Sequence, residues 1–163
     1  MIEIKKIKTD GEKWRIEYSQ TSRTKDAPPD MLSLESFEAA LSSFSQALRG
    51  LRGVVEKICS LPEGYCEAMD IRGVSLSYNE SMGVTISGLR PLQACPAPLV
   101  LNTPHVLEEM LTHDELGAVL TVLREAEKYV RGERLQASLF GDDDESDIES
   151  VTISSGGQSV TLR

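Results

Sequence analysis

Two histidines, His105 and His113, and three cysteines, Cys59, Cys66 and Cys95, are the side chains best suited to nucleophilic or metal chemistry. Neither Cys-x-x-Cys nor His-x₃₋₅-His spacing joins them, so a zinc site has no pattern behind it. Cys59 falls beside an apolar helical stripe and reads as a small buried residue, not a nucleophile. Glu108-Glu109 and Asp114-Glu115 sit where helix N-termini favour acids anyway. Gly156-Gly157 has no helix behind it and no Lys-Ser/Thr after it, so it is not a phosphate loop. A base, a nucleophile and a charge stabiliser cannot be assembled. The expectation is a non-enzymatic protein with no catalytic residues, no metal and no cofactor.

Binding chemistry is better represented. Lys5, Lys6 and Lys8, with Trp14 and Tyr18 nearby, form a candidate nucleic-acid contact, although a solvated sheet face explains the same residues. The net charge of −9 argues against broad nucleic-acid binding. That charge is local. Asp142, Asp143, Asp144, Glu145, Asp147 and Glu149 supply −6 of it, whereas residues 1–25 carry seven Lys/Arg against four Asp/Glu.

Gln136-Ala137-Ser138-Leu139-Phe140 is of another kind. Two large apolar residues stand next to an acidic run that cannot bury them. They either close the core beside Val130 or are offered to a partner pocket. The peptide resembles the bacterial sliding-clamp-binding motif, Gln-x-Ser/Asp-Leu-Phe. The resemblance implies that Gln136 hydrogen-bonds at one subsite, that Ser138 fills the small polar position, and that Leu139 and Phe140 enter the hydrophobic pocket. Ala137 departs from the leucine often found second.

These residues need a scaffold. At 163 residues, 40% hydrophobic and 26% charged, the chain suits one globular domain. No run approaches the roughly 18 apolar residues of a membrane helix. Residues 1–6 lack a signal-peptide core, and the odd cysteine count fits reduced thiols, so a cytoplasmic protein is expected. Ile2, Ile4 and Ile7, then Trp14, Ile16 and Tyr18, predict a β-hairpin around Asp10-Gly11. Residues 21–30 read as a loop. Leu34, Phe37, Leu41, Phe44, Leu48, Leu51, Val55 and Ile58 are spaced 3-4-3-4-3-4-3. This spacing predicts one helix of about 25 residues, near 37 Å long, capped by Asp30 or Ser33. It suits a core helix better than a coiled-coil seam. Strands follow at Ile71 to Tyr78, Met82 to Ile86 and Pro98 to Asn102, the last stopped by Thr103-Pro104. Thr112-x-x-Glu115 is a capping box for a second helix with Leu116, Val119, Leu120, Leu123 and Val130 as its buried stripe, a Glu127–Arg131 pair, and Gly132 as its stop. The expected fold class is α+β, a mainly antiparallel sheet of about five strands with two helices in the order ββ-α-βββ-α. Residues 1–135 form the domain, residues 136–150 the linear motif and acidic linker, and residues 151–163 a terminal hairpin across Gly156-Gly157.

A wider resemblance covers residues 70–140. Ile71-Arg72-Gly73-Val74-Ser75-Leu76-Ser77-Tyr78, Met82-Gly83-Val84-Thr85-Ile86, Pro98-Leu99-Val100-Leu101-Asn102-Thr103-Pro104-His105 and residues 125–140 are similar to a family of small, uncharacterised bacteriophage and prophage proteins. The resemblance implies a setting among phage replication and recombination genes, with the host clamp as partner. Family members typically stop at the Leu-Phe pair, so the acidic run and the last hairpin inherit nothing from it. Two rivals stand beside this expectation. One is a host-takeover or anti-defence protein whose acidic run mimics nucleic-acid phosphates or sequesters a host factor. The other is a DNA-binding accessory protein using the basic N-terminal hairpin. The long stripe and the terminal hairpin leave room for a homodimer.

Overall fold

The computed structural model describes residues 1–135. Strands β1 (Ile2–Thr9) and β2 (Trp14–Gln20) pair antiparallel around a tight turn. Asp10 Oδ1 accepts from the amides of Glu12 at 2.9 Å and Lys13 at 2.8 Å, and Gly11 supplies φ +101°. These Asx-type bonds hold the turn, and the Lys13 amide foremost keeps the Asp10 carboxyl below its usual range. A bulge between Ile4 and Lys6 shifts the register of β1. Ile4 and Ile7, three residues apart, thereby both reach the core.

The predicted 25-residue helix is a correction. Its first part is a strand, β3 (Asp30–Ser36), paired with β2 along its whole length, so neither Asp30 nor Ser33 caps a helix. Leu32-Ser33-Leu34-Glu35 satisfies a period of two as well as Leu34 and Phe37 satisfy a helical step. The outer edge of β2 offers seven residues of backbone donors and acceptors, and pairing them decides the contest. Phe37, assigned to the stripe, is 73% exposed. The remainder forms two short helices, α1 (Ser42–Arg49) and α2 (Arg52–Ile58), interrupted at Gly50 and Leu51. Within them the stripe holds: Phe44, Leu48, Leu51 and Val55 are buried in this chain's own core.

Strands β4 (Asp70–Tyr78) and β5 (Met82–Arg90) form the second hairpin, and β6 (Leu99–Asn102) and β7 (Val106–Leu107) share the far edge of β5. Between them Thr103 bridges the gap. Its amide donates to the Ile86 carbonyl, and its hydroxyl accepts from the Ile86 amide, both at 2.9 Å. The antiparallel sheet runs β3-β2-β1-β4-β5-β6, with β7 beside β5. The class is thus α+β with a mainly antiparallel sheet, holding a strand more at the β2 edge than expected.

The capping box closes as expected on α3 (His113–Val130): Glu115 N–H donates to Thr112 Oγ1 at 3.2 Å, and Thr112 N–H to Glu115 Oε1 at 3.0 Å. Its buried face is rotated from the expected one. Val119, Val122, Ala126 and Tyr129 point inward, Leu116, Leu123 and Val130 are half-buried, and Leu120 is 41% exposed. Val122 and Ala126 are short enough to let α3 lie close over β1, so the larger leucines flank the contact. Trp14, Phe44 and Tyr129 lock the core, with ring centroids 4.5 Å apart for Trp14–Phe44 and 5.6 Å for Trp14–Tyr129.

Alternation along the strands leaves a second face. Ile7, Ile16, Val74, Val84 and Ile86 point into the core, while Lys6, Lys8, Arg15, Ser75, Thr85 and Ser87 point the other way and retain exposure. No helix among the described residues is long and apolar enough to cross a membrane.

Candidate functional site

The end of α3 is the platform from which the candidate peptide departs. Gly132 adopts φ +100°, and its amide donates to Tyr129 O at 3.0 Å, while Glu133 N–H donates to Lys128 O at 2.9 Å. These bonds stop the helix where the glycine predicts. Arg134 then folds back. Its guanidinium carbon lies 4.4 Å from the Tyr129 ring centroid, Nε donates to Tyr129 O at 2.9 Å, and Nη1 reaches Glu38 Oε1 at 2.6 Å. Leu135 N–H donates to Ala39 O at 2.9 Å. The chain is therefore fixed, residue by residue, up to the point where Gln136 begins. Gln136, Ser138, Leu139 and Phe140 lie outside the described residues, as do the acidic run and the expected terminal hairpin.

The three candidate lysines separate. Lys5 occupies the bulge, where Nζ lies 2.7 Å from Glu3 Oε1 and 4.7 Å above the Tyr78 ring. Lys6 and Lys8 stand on the open sheet face, facing Glu17 and Arg15 on β2 and Ser75 and Gly73 on β4. The aromatic side chains do not join them. Trp14 is buried under α1 and α3, and Tyr18 packs against the same core. Lys6 and Lys8 therefore occupy the face opposite Trp14 and Tyr18, because successive side chains alternate, and only Lys5, in the bulge, meets an aromatic ring.

Of the thiols, Cys59 is half-buried, Cys66 buried and Cys95 exposed, and all are free. Burial, then the Glu56 carboxylate, pushes the Cys66 thiol up, the reverse of what an activated nucleophile needs. His105 lies over Gly83 with Nε2 3.3 Å from Ser77 Oγ and Nδ1 3.5 Å from Thr85 Oγ1. No carboxylate hydrogen-bonds to either ring nitrogen among the described residues, so the usual orienting acid of a catalytic histidine is missing. His113 opens α3. No group of three or more His, Cys, Asp or Glu among the described residues is placed to hold a metal ion.

One basic cluster has no counterpart among the expected sites. Arg49 at the end of α1, Arg52 at the start of α2 and Arg72 on β4 line one open cleft of about 240 Å³ beside the β1–β2 turn. Arg49 and Arg52 flank the helix break, and Arg72 lies 20 residues further on, so no local pattern announces the cluster.

No protein-family model, curated protein or solved structure matches this chain.

Proposed function

We propose that this chain is a non-enzymatic interaction protein that docks on the bacterial DNA sliding clamp through residues 136–140, in a phage replication or recombination setting. The observation that supports this reading most is the pinned chain exit: Arg134 and Leu135 are tied to Tyr129, Glu38 and Ala39, directly before Gln136. A short apolar motif gains affinity when its first residue leaves a fixed point, because less chain freedom is lost on docking. Leu139 and Phe140 supply the buried anchors, and Gln136 sets the register. The body behind them is a scaffold whose core is filled by Trp14, Phe44, Tyr129 and the sheet.

The experiment is a titration of purified clamp with the full chain and with the Leu139→Ala/Phe140→Ala double variant. Saturable binding by the wild type and its loss in a variant with unchanged thermal unfolding is the expected result. If the double variant unfolds with the domain, the pair belongs to the core and the reading fails. Equal clamp binding by a folded double variant rejects it as well.

A further inference from the structure

Arg49, Arg52 and Arg72 come from three separate elements, yet the three residues line a single cleft together with Asp70 and the hydroxyl-bearing Thr9 and Ser45. Like charges gathered this way repel, and the protein neutralises them only in part. Arg72 has Asp70 as ion-pair partner at 3.5 Å, a long contact to a carboxylate that is itself 59% exposed. Asp10, across the turn, feels Arg72, but its Oδ1 is already committed to the Glu12 and Lys13 amides. Arg52 spends Nε on Met69 O at 2.7 Å, which fixes its stem and leaves its terminal nitrogens for the cleft. Arg49 makes no ion pair or side-chain hydrogen bond among the described residues. Arg72 Nε is buried with no hydrogen-bond partner. Three guanidinium groups against two carboxylates leave an excess positive charge over a concavity equipped with planar, multidentate donors.

We infer that this cleft binds a small phosphate-bearing ligand, with Arg49, Arg52 and Arg72 clasping the phosphate oxygens and Thr9 and Ser45 at the rim. A phosphate monoester carries between one and two negative charges near neutral pH and offers at least three acceptor oxygens, which matches the donor excess. A carboxylate, with a single charge and two oxygens, matches it less well. The volume accommodates a phosphate group and a small substituent, whereas drug-sized ligand sites run to about 300–1,000 Å³. On the open sheet face the charge is more nearly balanced: Lys13 and Arg15 pair with Glu35 at 3.2 and 3.6 Å and Lys6 stands beside Glu17, while Lys8, facing Arg15 and Gly73, is an ammonium without a guanidinium fork.

The test is an amide-resolved NMR titration of the full chain with inorganic phosphate, ionic strength being held constant with chloride. Saturable shifts confined to the amides of Thr9, Gly11, Arg49, Arg52 and Arg72 are expected. Arg49→Ala, which removes an exposed side chain with no protein partner, should weaken the response by about tenfold, the equivalent of one phosphate contact. Arg49→Glu should abolish it in a protein with unchanged thermal unfolding. Shifts that never saturate, that spread equally to Lys6 and Lys8, or that survive Arg49→Glu overturn the assignment. So does an Arg49-dependent response to single-stranded oligonucleotide with none to inorganic phosphate, which would give the cleft to a nucleic-acid backbone instead. None of these outcomes depends on Leu139 or Phe140, so clamp docking and phosphate binding fail or succeed separately.

Discussion

Arg134 covers the ring of Tyr129 at 4.4 Å and bonds the carbonyl of the same residue, so one side chain both seals the outer side of the aromatic cluster and fixes the chain leaving α3. Tyr129 answers from within: its hydroxyl donates to Glu38 O at 2.6 Å, and Arg134 Nη1 meets the carboxylate of that same Glu38. The segment after β3 and the segment after α3 are thus tied through two residues.

Arg134→Ala should therefore act at two levels. Loss of a partly desolvated cation–π contact and an ion pair costs about 1–2 kcal/mol of stability. Urea unfolding followed by tryptophan fluorescence reports this directly, because Trp14 packs on Tyr129. On the proposed docking, clamp affinity should fall a few-fold with no change in residues 136–140, since the motif then departs from a loosened end. Unchanged stability would show that the Leu135–Ala39 backbone bond alone holds the exit.

Glu125 is buried on α3 yet remains charged in a small network. Burial pushes its carboxyl up, but the Ser43 hydroxyl at 2.7 Å and the Lys128 ammonium at 3.1 Å outweigh it, and the group ends below the usual carboxylate value. A folded-state value lower than the unfolded one stabilises above the unfolded value and is lost as pH falls through the folded one. Glu125→Gln should cost about 1.5–3 kcal/mol near pH 7, the worth of hydrogen bonds to a charged group. The gap between variant and wild type should narrow as pH drops below the carboxylate range. A gap independent of pH would assign the loss to packing.

Local signals were readable in the amino-acid order, and non-local choices were not. Asp10-Gly11 marks its turn because the Asx bonds lie within three residues, and Thr112 with Glu115 caps α3 for the same reason. Leu34 and Phe37 fit both periods, and only the unpaired edge of β2, some 15 residues earlier in the chain, decides between them. The face α3 buries depends on how near it lies to β1, which favours Val122 and Ala126 over Leu120. The arginine cleft carries no motif because Arg49, Arg52 and Arg72 meet only once β4 and the helix break are in place. The clamp-like peptide is the opposite case: its residues are legible in sequence, and the fold contributes the fixed point before it.

Two glycines of β5 should respond differently to alanine. At Gly88 an added Cβ meets the Met69 side chain and also Asp70 O at 2.6 Å, and the backbone oxygen belongs to the adjacent strand of the ladder. At Gly83 the clash is with the His105 ring and with Ser77 Oγ at 2.9 Å, groups at the partly open face that can swing aside. Gly88→Ala should cost about 1–3 kcal/mol through strand displacement. Gly83→Ala should cost less and appear as a changed His105 environment in NMR. Equal losses would mean that His105 is held as firmly as the backbone of β4.

Tyr78 gives a pH signature in the alkaline range. Its hydroxyl donates to Ile4 O at 2.8 Å across the sheet, beside the β1 bulge. Burial, reinforced by the Glu3 carboxylate, pushes its ionisation up to about 12. The phenol is raised in the folded state, so its contribution is complete below the unfolded value near 10 and is lost as pH climbs through the folded one. Absorbance titration at alkaline pH should show late-ionising tyrosines, with the late amplitude reduced by one tyrosine in Tyr78→Phe. The same variant should lose about 1 kcal/mol near pH 7, because Ile4 O loses its side-chain donor. It should also lose less stability than the wild type between pH 10 and 12, since the group that must ionise there is gone. Tyr129, whose hydroxyl is likewise raised by burial, keeps a late step in the variant, so only a late amplitude unchanged by Tyr78→Phe would remove Tyr78 from the late group.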